Sequence, residues 1–387
     1  MPSVAYCISP SIESVPIRSD ATAIWGHFKS EIGLGSAARG YAAALRHTSL
    51  VSSCHDVPLP GRASVQFECD PILWRAGTNL YVQNPPEMLA GRFLPHSALR
   101  DTKRIGIWAW ELSHFPEQWK PAIALVDEIW VGSLFIANAV REVTHKPVRI
   151  LQCPVVGRNY ARTVDARARI LPAIDPDAFV FLTAFDFGSY ITRKNPMAAL
   201  AAFLEAFPVN LSSRPYFVIK CHGDVADIAA SRALAAQVSH WDRVFLINQV
   251  LSPRQMADLQ DACDCFISLH RSEGFGLNIA EMMRGGKPVI CTGYSGNLDF
   301  TNGENSFLVD YTLVPVREGE YMDHVGQVWA EADHGAAVRV LREVYSDQNT
   351  AMHRARLGRE TILREYSIET VAEKIWRVLA SGVEDES

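Results

Sequence analysis

Metal and disulfide signatures are missing from this chain. Its eight cysteines (Cys7, Cys54, Cys69, Cys153, Cys221, Cys263, Cys265, Cys291) are scattered without one C-x-x-C pair, which argues against a zinc site and a disulfide framework and points to a reducing compartment. Positive charge is not in excess: Lys plus Arg number 37 against 43 Asp plus Glu, a formal net charge of -6. No global basic surface is therefore available to hold nucleic acid by counterion release. No run approaches the roughly 18 apolar residues of a spanning helix, and the start, MPSVAYCISPSIESVPIRSD, lacks a basic region followed by an apolar core. The chain reads as cytoplasmic and untargeted. A local cluster, Arg141, His145, Lys146 and Arg149, is compatible either with peripheral contact at the inner face of the plasma membrane or with a solvated helix end. Internal repeats and low-complexity tracts are absent, which sets aside solenoids and propellers. So are the G-x-S-x-G elbow and the G-x-x-x-x-G-K-[ST] loop of hydrolases and nucleoside triphosphatases.

What is present is a long α/β pattern. With 387 residues, 48% of them hydrophobic, the chain can fill two ordinary cores. Strand-like runs at 23–28, 80–83, 104–110, 128–131 and 148–151, then at 179–185, 216–220, 244–247, 265–268 and 288–291, alternate with helical periods such as 36–46 and 196–207. Two such series predict two doubly wound domains, 1–155 and 178–348, joined by a linker over 156–177 that is polar, basic and proline-bearing. In the last segment, 349–387, Ile362, Leu363, Ile368, Val371, Ile375, Trp376 and Leu379 recur at helical spacing, so it should be helical and pack back on the first domain.

The densest chemical signal is Arg271-Ser272-Glu273-Gly274-Phe275-Gly276-Leu277-Asn278-Ile279-Ala280-Glu281, which follows an apolar strand. A strand that ends in a glycine turn opening a helix points free backbone N–H groups and the positive helix end at one place, which suits a phosphate. Carboxylates beside a phosphate repel it, so Glu273 and Glu281 more naturally grip hydroxyls of a sugar or ribose. The stretch EGFGLNIAEMMRGGKPVI, followed by Tyr294-Ser295-Gly296-Asn297-Leu298-Asp299-Phe300, resembles the donor-binding signature of the retaining glycosyltransferases of family four, with its two glutamates at this spacing. The resemblance makes Gly274, Phe275, Gly276, Leu277 and Glu281 donor-binding and Glu273 catalytic.

A second segment resembles the same family: Phe185-Asp186 through Arg193-Lys194-Asn195-Pro196, then AALAAFLEAF. Cations at the top of a helix after a buried strand can neutralise a diphosphate as it leaves. The resemblance gives Lys194 this contact; the family's upstream arginine falls on Gly188, so its role passes to Arg193. In the first half, Gly26-His27-Phe28-Lys29-Ser30-Glu31-Ile32-Gly33-Leu34-Gly35-Ser36 sets a glycine loop between a strand and a helix. It either closes over the diphosphate through Gly33 and Gly35, as in the family, or serves close packing. Ile107-Trp108-Ala109-Trp110-Glu111-Leu112-Ser113-His114 also resembles a subgroup of the family. Trp110 could stack on a sugar or lie in the core. Either Glu111 or His114 would stand near the reacting centre, and Asn84, after another strand, is a further acceptor-side candidate.

The resemblance implies a GT-B architecture, two Rossmann-like domains facing a cleft. It implies a hexosyltransferase, with mannosyl transfer included, that moves sugar from GDP-mannose or a UDP-hexose to a glycan or lipid-linked acceptor. No cofactor and no metal are expected; Asp175-Pro176-Asp177, which has the D-x-D form of a metal-using glycosyltransferase architecture, reads as a turn. A non-catalytic nucleotide-sugar-binding or scaffold protein and a GT-B nucleotide-sugar epimerase are the alternatives.

Overall fold

The computed structural model describes residues 15–59, 64–72, 74–91, 101–156, 165–209, 215–223 and 228–381. Cys7 and residues 157–164 of the expected linker lie outside them. The chain forms two units, Met1–Pro154 with Glu365–Ser387, and Val155–Arg364.

Unit 1 runs β1 (Ile17–Gly26), α1 (Gly33–Arg46), β2 (Val51–Asp56), β3 (Arg75–Val82), α2 (Pro85–Leu89), β4 (Lys103–Trp108), a 3-10 stretch (Glu117–Leu125), β5 (Glu128–Val131), α3 (Leu134–Arg141) and β6 (Val148–Ile150). Its six strands pair in the order β2-β1-β3-β4-β5-β6, all parallel. Parallel strands are covered on both faces and read as continuous apolar runs, as in the second half of β1, where Ala21 to Gly26 are all buried. The order doubles back between β1 and β3. A crevice at their carboxyl ends is where open α/β sheets bind ligands, and the glycine loop and Asn84 follow those two strands.

Unit 2 runs α4 (Ala166–Ile170), β7 (Val180–Asp186), α5 (Ile191–Lys194), α6 (Pro196–Ala206), β8 (Tyr216–His222), α7 (Ile228–Val238), β9 (Val244–Asn248), α8 (Pro253–Ala262), β10 (Cys265–Ser268), α9 (Leu277–Arg284), β11 (Val289–Thr292), β12 (Phe307–Val309), β13 (Tyr311–Pro315), β14 (Val328–Ala332), α10 (His334–Ser346) and α11 (Gln348–Glu365). Its main sheet is parallel in the order β12-β11-β10-β7-β8-β9, the strand order of a dinucleotide-binding fold. The switch point falls between β7 and β10. Phe181, Phe203, Phe207 and Phe217 anchor the core beneath α6 and α10. An antiparallel hairpin, β13–β14, stands outside the main sheet.

Both units are thus doubly wound α/β, as expected, and every expected strand forms, 128–131 and 265–268 with the expected ends and the others with shifted ones. Four strands were not anticipated: β2, β12, β13 and β14. The expected linker is interrupted by α4, which belongs to unit 2: Arg167 donates to the Ala262 carbonyl and pairs with Asp264 at 2.7 Å, and Arg169 pairs with Asp258. Asp175-Pro176-Asp177 is a turn, with the Asp177 N–H on Asp175 Oδ1 at 3.0 Å. The C-terminal segment is divided rather than crossing as a whole. Helix α11 stays with unit 2 up to Arg364, and α12 (Ile368–Ser381) packs on α1 of unit 1, burying Val371, Ala372, Ile375 and Val378. Leu363 and Trp376, expected on the buried stripe, are exposed.

Candidate active site

The carboxyl ends of β7 and β10 deliver the two halves of the site. After β7, Asp186 caps a short turn by accepting the Gly188 N–H at 2.9 Å, and α5 follows as a single helical turn. It ends at Asn195, whose left-handed backbone turns the chain so that Pro196 can open α6. Arg193 and Lys194 sit at its end. Arg193 is only 2% exposed; its Nη1 donates to the Ser272 carbonyl at 2.8 Å and to Glu273 Oε2 at 3.1 Å. Lys194 Nζ donates to the other oxygen, Glu273 Oε1, at 2.5 Å, with 16% of its side chain exposed.

Glu273 therefore stands between two cations while itself 8% exposed. Burial alone would raise its carboxyl pKa; the charges of Lys194 and Arg193 overcome that and hold it at about 2. It is ionised at any physiological pH. Its main chain is fixed by the Ser295-Gly296-Asn297 turn: the Glu273 N–H donates to Ser295 Oγ at 2.8 Å, and the Gly296 N–H to the Glu273 carbonyl at 2.9 Å. Only glycine fits at 296, because a methyl there would stand 1.9 Å from the Gly274 carbonyl oxygen.

His270, which the sequence reading passed over, bolts this turn to β10. Fully buried, it donates from Nε2 to Asn297 Oδ1 at 3.1 Å and faces the Tyr294 carbonyl at 3.3 Å, while Nδ1 meets the Ser268 hydroxyl at 3.1 Å. That pattern is satisfied by the neutral Nε2–H tautomer, and burial lowers the pKa of His270 in the same sense. An isolated histidine after a strand carries no such message; the downstream Ser-Gly-Asn turn was the available signal.

Gly276 opens α9 with φ +93°, a left-handed conformation that favours glycine, and no side chain caps the helix. Its first N–H groups are thus the kind that receive an anion. Phe275 is half-buried against Phe300, with ring centroids 5.1 Å apart, and Leu277 begins the helix. Glu281 lies one turn into α9 and accepts from Gln260 Nε2 on α8 at 3.3 Å. Donor-side candidates Arg193, Lys194, Glu273, Gly274, Phe275, Gly276, Leu277 and Glu281 all belong to unit 2.

The unit 1 candidates fare differently. β4 ends at Trp108, two residues earlier than expected. Trp110 is fully buried: its indole N–H donates to the His114 carbonyl at 2.9 Å and its ring packs edge-on against Trp119 at 4.8 Å. It is a core residue with no face to offer a sugar. Glu111 is half-buried in the turn that follows, and His114 is exposed, with Nδ1 3.0 Å from Glu142. Asn84 ties two strand ends together, its Oδ1 accepting the Ala109 N–H at 2.9 Å. Gly33 has open space around it, whereas a methyl at Gly35 would stand 2.2 Å from the Ser30 carbonyl oxygen, so Gly35, in the first turn of α1, is a packing glycine that lets the helix start lie against the preceding loop. The basic cluster is largely engaged: Lys146 Nζ donates to the Ile123 and Val126 carbonyls, Arg149 pairs with Glu128, and Arg141 donates to the Val148 carbonyl. Among the described residues no helix is long and apolar enough to cross a membrane.

Residues 187–329 match the family model "Glycosyl transferases group 1". The match lies within unit 2 and spans the Lys194 turn, Glu273, α9 and β13, ending inside β14. No curated protein matches the chain. Among solved structures, the Anabaena protein HepE in complex with UDP and glucose superposes with a TM-score of 0.68 at 11% identity, covering 94% of this chain and 100% of that one. Sucrose-phosphate synthase from Thermosynechococcus elongatus gives 0.68 at 15%, covering 95% and 100%. The pneumococcal O-GlcNAc transferase GtfA, in complex with UDP and GlcNAc, gives 0.55 at 14%, covering 80% and 57%. At these identities the likeness is one of fold, and the architecture is GT-B.

Proposed function

We propose that the chain is a retaining glycosyltransferase of family four that moves a hexose from a nucleoside diphosphate sugar to a hydroxyl of a glycan or lipid-linked acceptor, in cell-surface polysaccharide synthesis. The observation that carries this reading is the Lys194–Glu273–Arg193 cluster at the switch point of the group 1 domain, beside the uncapped start of α9. A UDP-hexose is the first choice of donor, supported by the UDP and sugar bound to HepE and GtfA; GDP-mannose is the second. Acceptor recognition is assigned to unit 1.

In this mechanism the donor diphosphate takes Lys194 Nζ and the N–H groups at the start of α9. Glu273, kept ionised, holds sugar hydroxyls, and Glu281 holds ribose hydroxyls. Arg193 keeps Glu273 in place rather than touching phosphate, since its guanidinium is buried on the Ser272 carbonyl and the carboxylate. The bond from the anomeric carbon to the phosphate oxygen breaks first, and the acceptor oxygen bonds to that carbon from the same face. Its proton passes to the departing phosphate, and no protein nucleophile is needed. Charge neutralisation falls to Lys194 and the dipole of α9, with no cofactor.

The test is a panel of UDP-glucose, UDP-GlcNAc and GDP-mannose, read by thermal shift and by NMR of the transferred sugar, with and without EDTA. One donor should raise the melting temperature by mass action and yield product of retained configuration, unaffected by EDTA. An inverted product overturns the retaining assignment. Loss of activity in EDTA that Mn²⁺ or Mg²⁺ restores overturns metal independence.

A further inference from the structure

The turn that carries Lys194 cannot hold itself. One helical turn makes few hydrogen bonds, and α5 is bracketed by Tyr190 at φ 61° and Asn195 at φ 51°. Asn adopts the left-handed region readily, but Tyr190, with ψ 109° besides, keeps its conformation only where its surroundings over-determine it.

Those surroundings are the β13–β14 hairpin. At its tip, the Tyr321 ring lies 4.6 Å from that of Tyr190 and has the Arg193 guanidinium 5.8 Å above it. The Thr192 hydroxyl donates to the Glu320 carbonyl at 2.5 Å. At its base, Glu331 on β14 accepts from Asn195 Nδ2 at 3.3 Å through one oxygen and from Arg271 Nε at 2.7 Å through the other. Arg271 returns to the turn twice, donating Nη1 to the Thr192 carbonyl at 3.1 Å and its main-chain N–H to the Arg193 carbonyl at 2.8 Å. Its own carbonyl accepts the Ala330 N–H of β14 at 2.9 Å. Turn, strand end and hairpin are laced together, and two residues after Arg271 the chain reaches Glu273.

We propose that the β13–β14 hairpin is a positioning element of the donor site: through Thr192 and Glu331 it fixes where Lys194 Nζ stands beside Glu273, and so sets how tightly a diphosphate is held. This deepens the donor-site reading above and rests on it. The side chains involved are partly exposed, Glu331 at 37% and Arg271 at 19%, and ion pairs of that kind add little to overall stability. Removing the brace should therefore act on the diphosphate and leave the nucleoside and the fold almost untouched.

The experiment compares wild type, Thr192→Val, Thr192→Ser and Glu331→Gln in the full chain. Affinities for UDP and uridine, and in parallel for GDP and guanosine, are measured by calorimetry or NMR titration, with a melting curve for each variant. Thr192→Val and Glu331→Gln should weaken the nucleoside diphosphate by about tenfold, because a small displacement of a charged contact is costly, while nucleoside affinity stays within about twofold. Thr192→Ser, which keeps the hydroxyl, should restore wild-type binding. Equal weakening of nucleoside and diphosphate, or a Thr192→Ser variant as impaired as Thr192→Val, overturns the proposal and leaves the hairpin as packing. Failure of folded wild type to bind either diphosphate overturns the donor-site reading itself, a result visible before any variant is made.

Discussion

Replacing Glu273 by Gln tests whether the cluster at the end of β10 is an electrostatic device. The substitution keeps shape and removes one charge, leaving Lys194 and Arg193 facing a neutral amide in a site where Arg193 is almost wholly buried. Holding the carboxyl at about 2 rather than its ordinary 4.5 corresponds to about 3 kcal/mol in favour of the charged form. Breaking a buried ion pair from one side costs about 3–5 kcal/mol, so the two routes agree. For a unit of this size about 3 kcal/mol lowers the melting temperature by about 6–12 °C. The sign with pH follows from the depressed value. The stabilisation is complete above about pH 4.5 and is lost as pH falls toward 2, so the gap between wild type and Glu273→Gln should close over that window. Lys194→Gln is the contrast: Glu273 keeps Arg193 at 3.1 Å and Lys194 already touches solvent, so stability should drop by clearly less than with Glu273→Gln, while kcat falls on the order of a hundredfold or more. Urea unfolding and calorimetry at pH 7 and pH 3, beside turnover with the matching donor, read both effects. A Glu273→Gln protein within about 1 kcal/mol of wild type at pH 7, or equal destabilisation by the two substitutions, would refute the reasoning.

Two further predictions concern unit 1. Gly35→Ala should destabilise unit 1 by more than about 1 kcal/mol, because its methyl meets the Ser30 and His27 carbonyl oxygens at 2.2 and 2.8 Å, whereas Gly33→Ala should stay within about 0.5 kcal/mol; denaturant midpoints of the two variants decide this, and equal midpoints would contradict it. Trp110→Ala should cost about 3–5 kcal/mol as a core truncation, so near wild-type stability combined with a selective rise in acceptor KM would restore Trp110 to the acceptor site.

The chemistry of unit 2 was legible because its residues are crowded into two short runs. A strand, a glycine turn and a helix start around Glu273, and a cationic pair before Pro196, each state a local geometry that can be read without the fold. The fold added what spacing cannot state: Arg193 and Lys194 converge on one carboxylate 80 and 79 residues away in the chain, which recasts Arg193 as the partner of Glu273 rather than of phosphate. β2 escaped notice because Val51-Ser52-Ser53-Cys54-His55-Asp56 is polar in composition, although Ser53, Cys54 and His55 are buried and the His55 ring lies 4.3 Å from Trp25. The β13–β14 hairpin was missed for a related reason: β13 is largely exposed and owes its place to pairing with β14. Trp110 stayed open between core and ligand site because an aromatic run after a strand looks alike in both, and an early strand end decided between them.

The return of α12 to α1 also has a bearing on how the polypeptide is made. Unit 1 is discontinuous in sequence, with unit 2 inserted whole between its parts. During synthesis, which runs from the amino end at about 5–20 residues per second, the surface of α1 that receives Val371, Ile375 and Val378 must wait until those residues, encoded after the whole of unit 2, have left the ribosome. Unit 2, continuous from Val155 to Arg364, has no such dependence. The later-encoded unit is then the first able to finish folding, and a ribosome that stops short of residue 368 releases a complete unit 2 beside an apolar helix face with nothing to cover it.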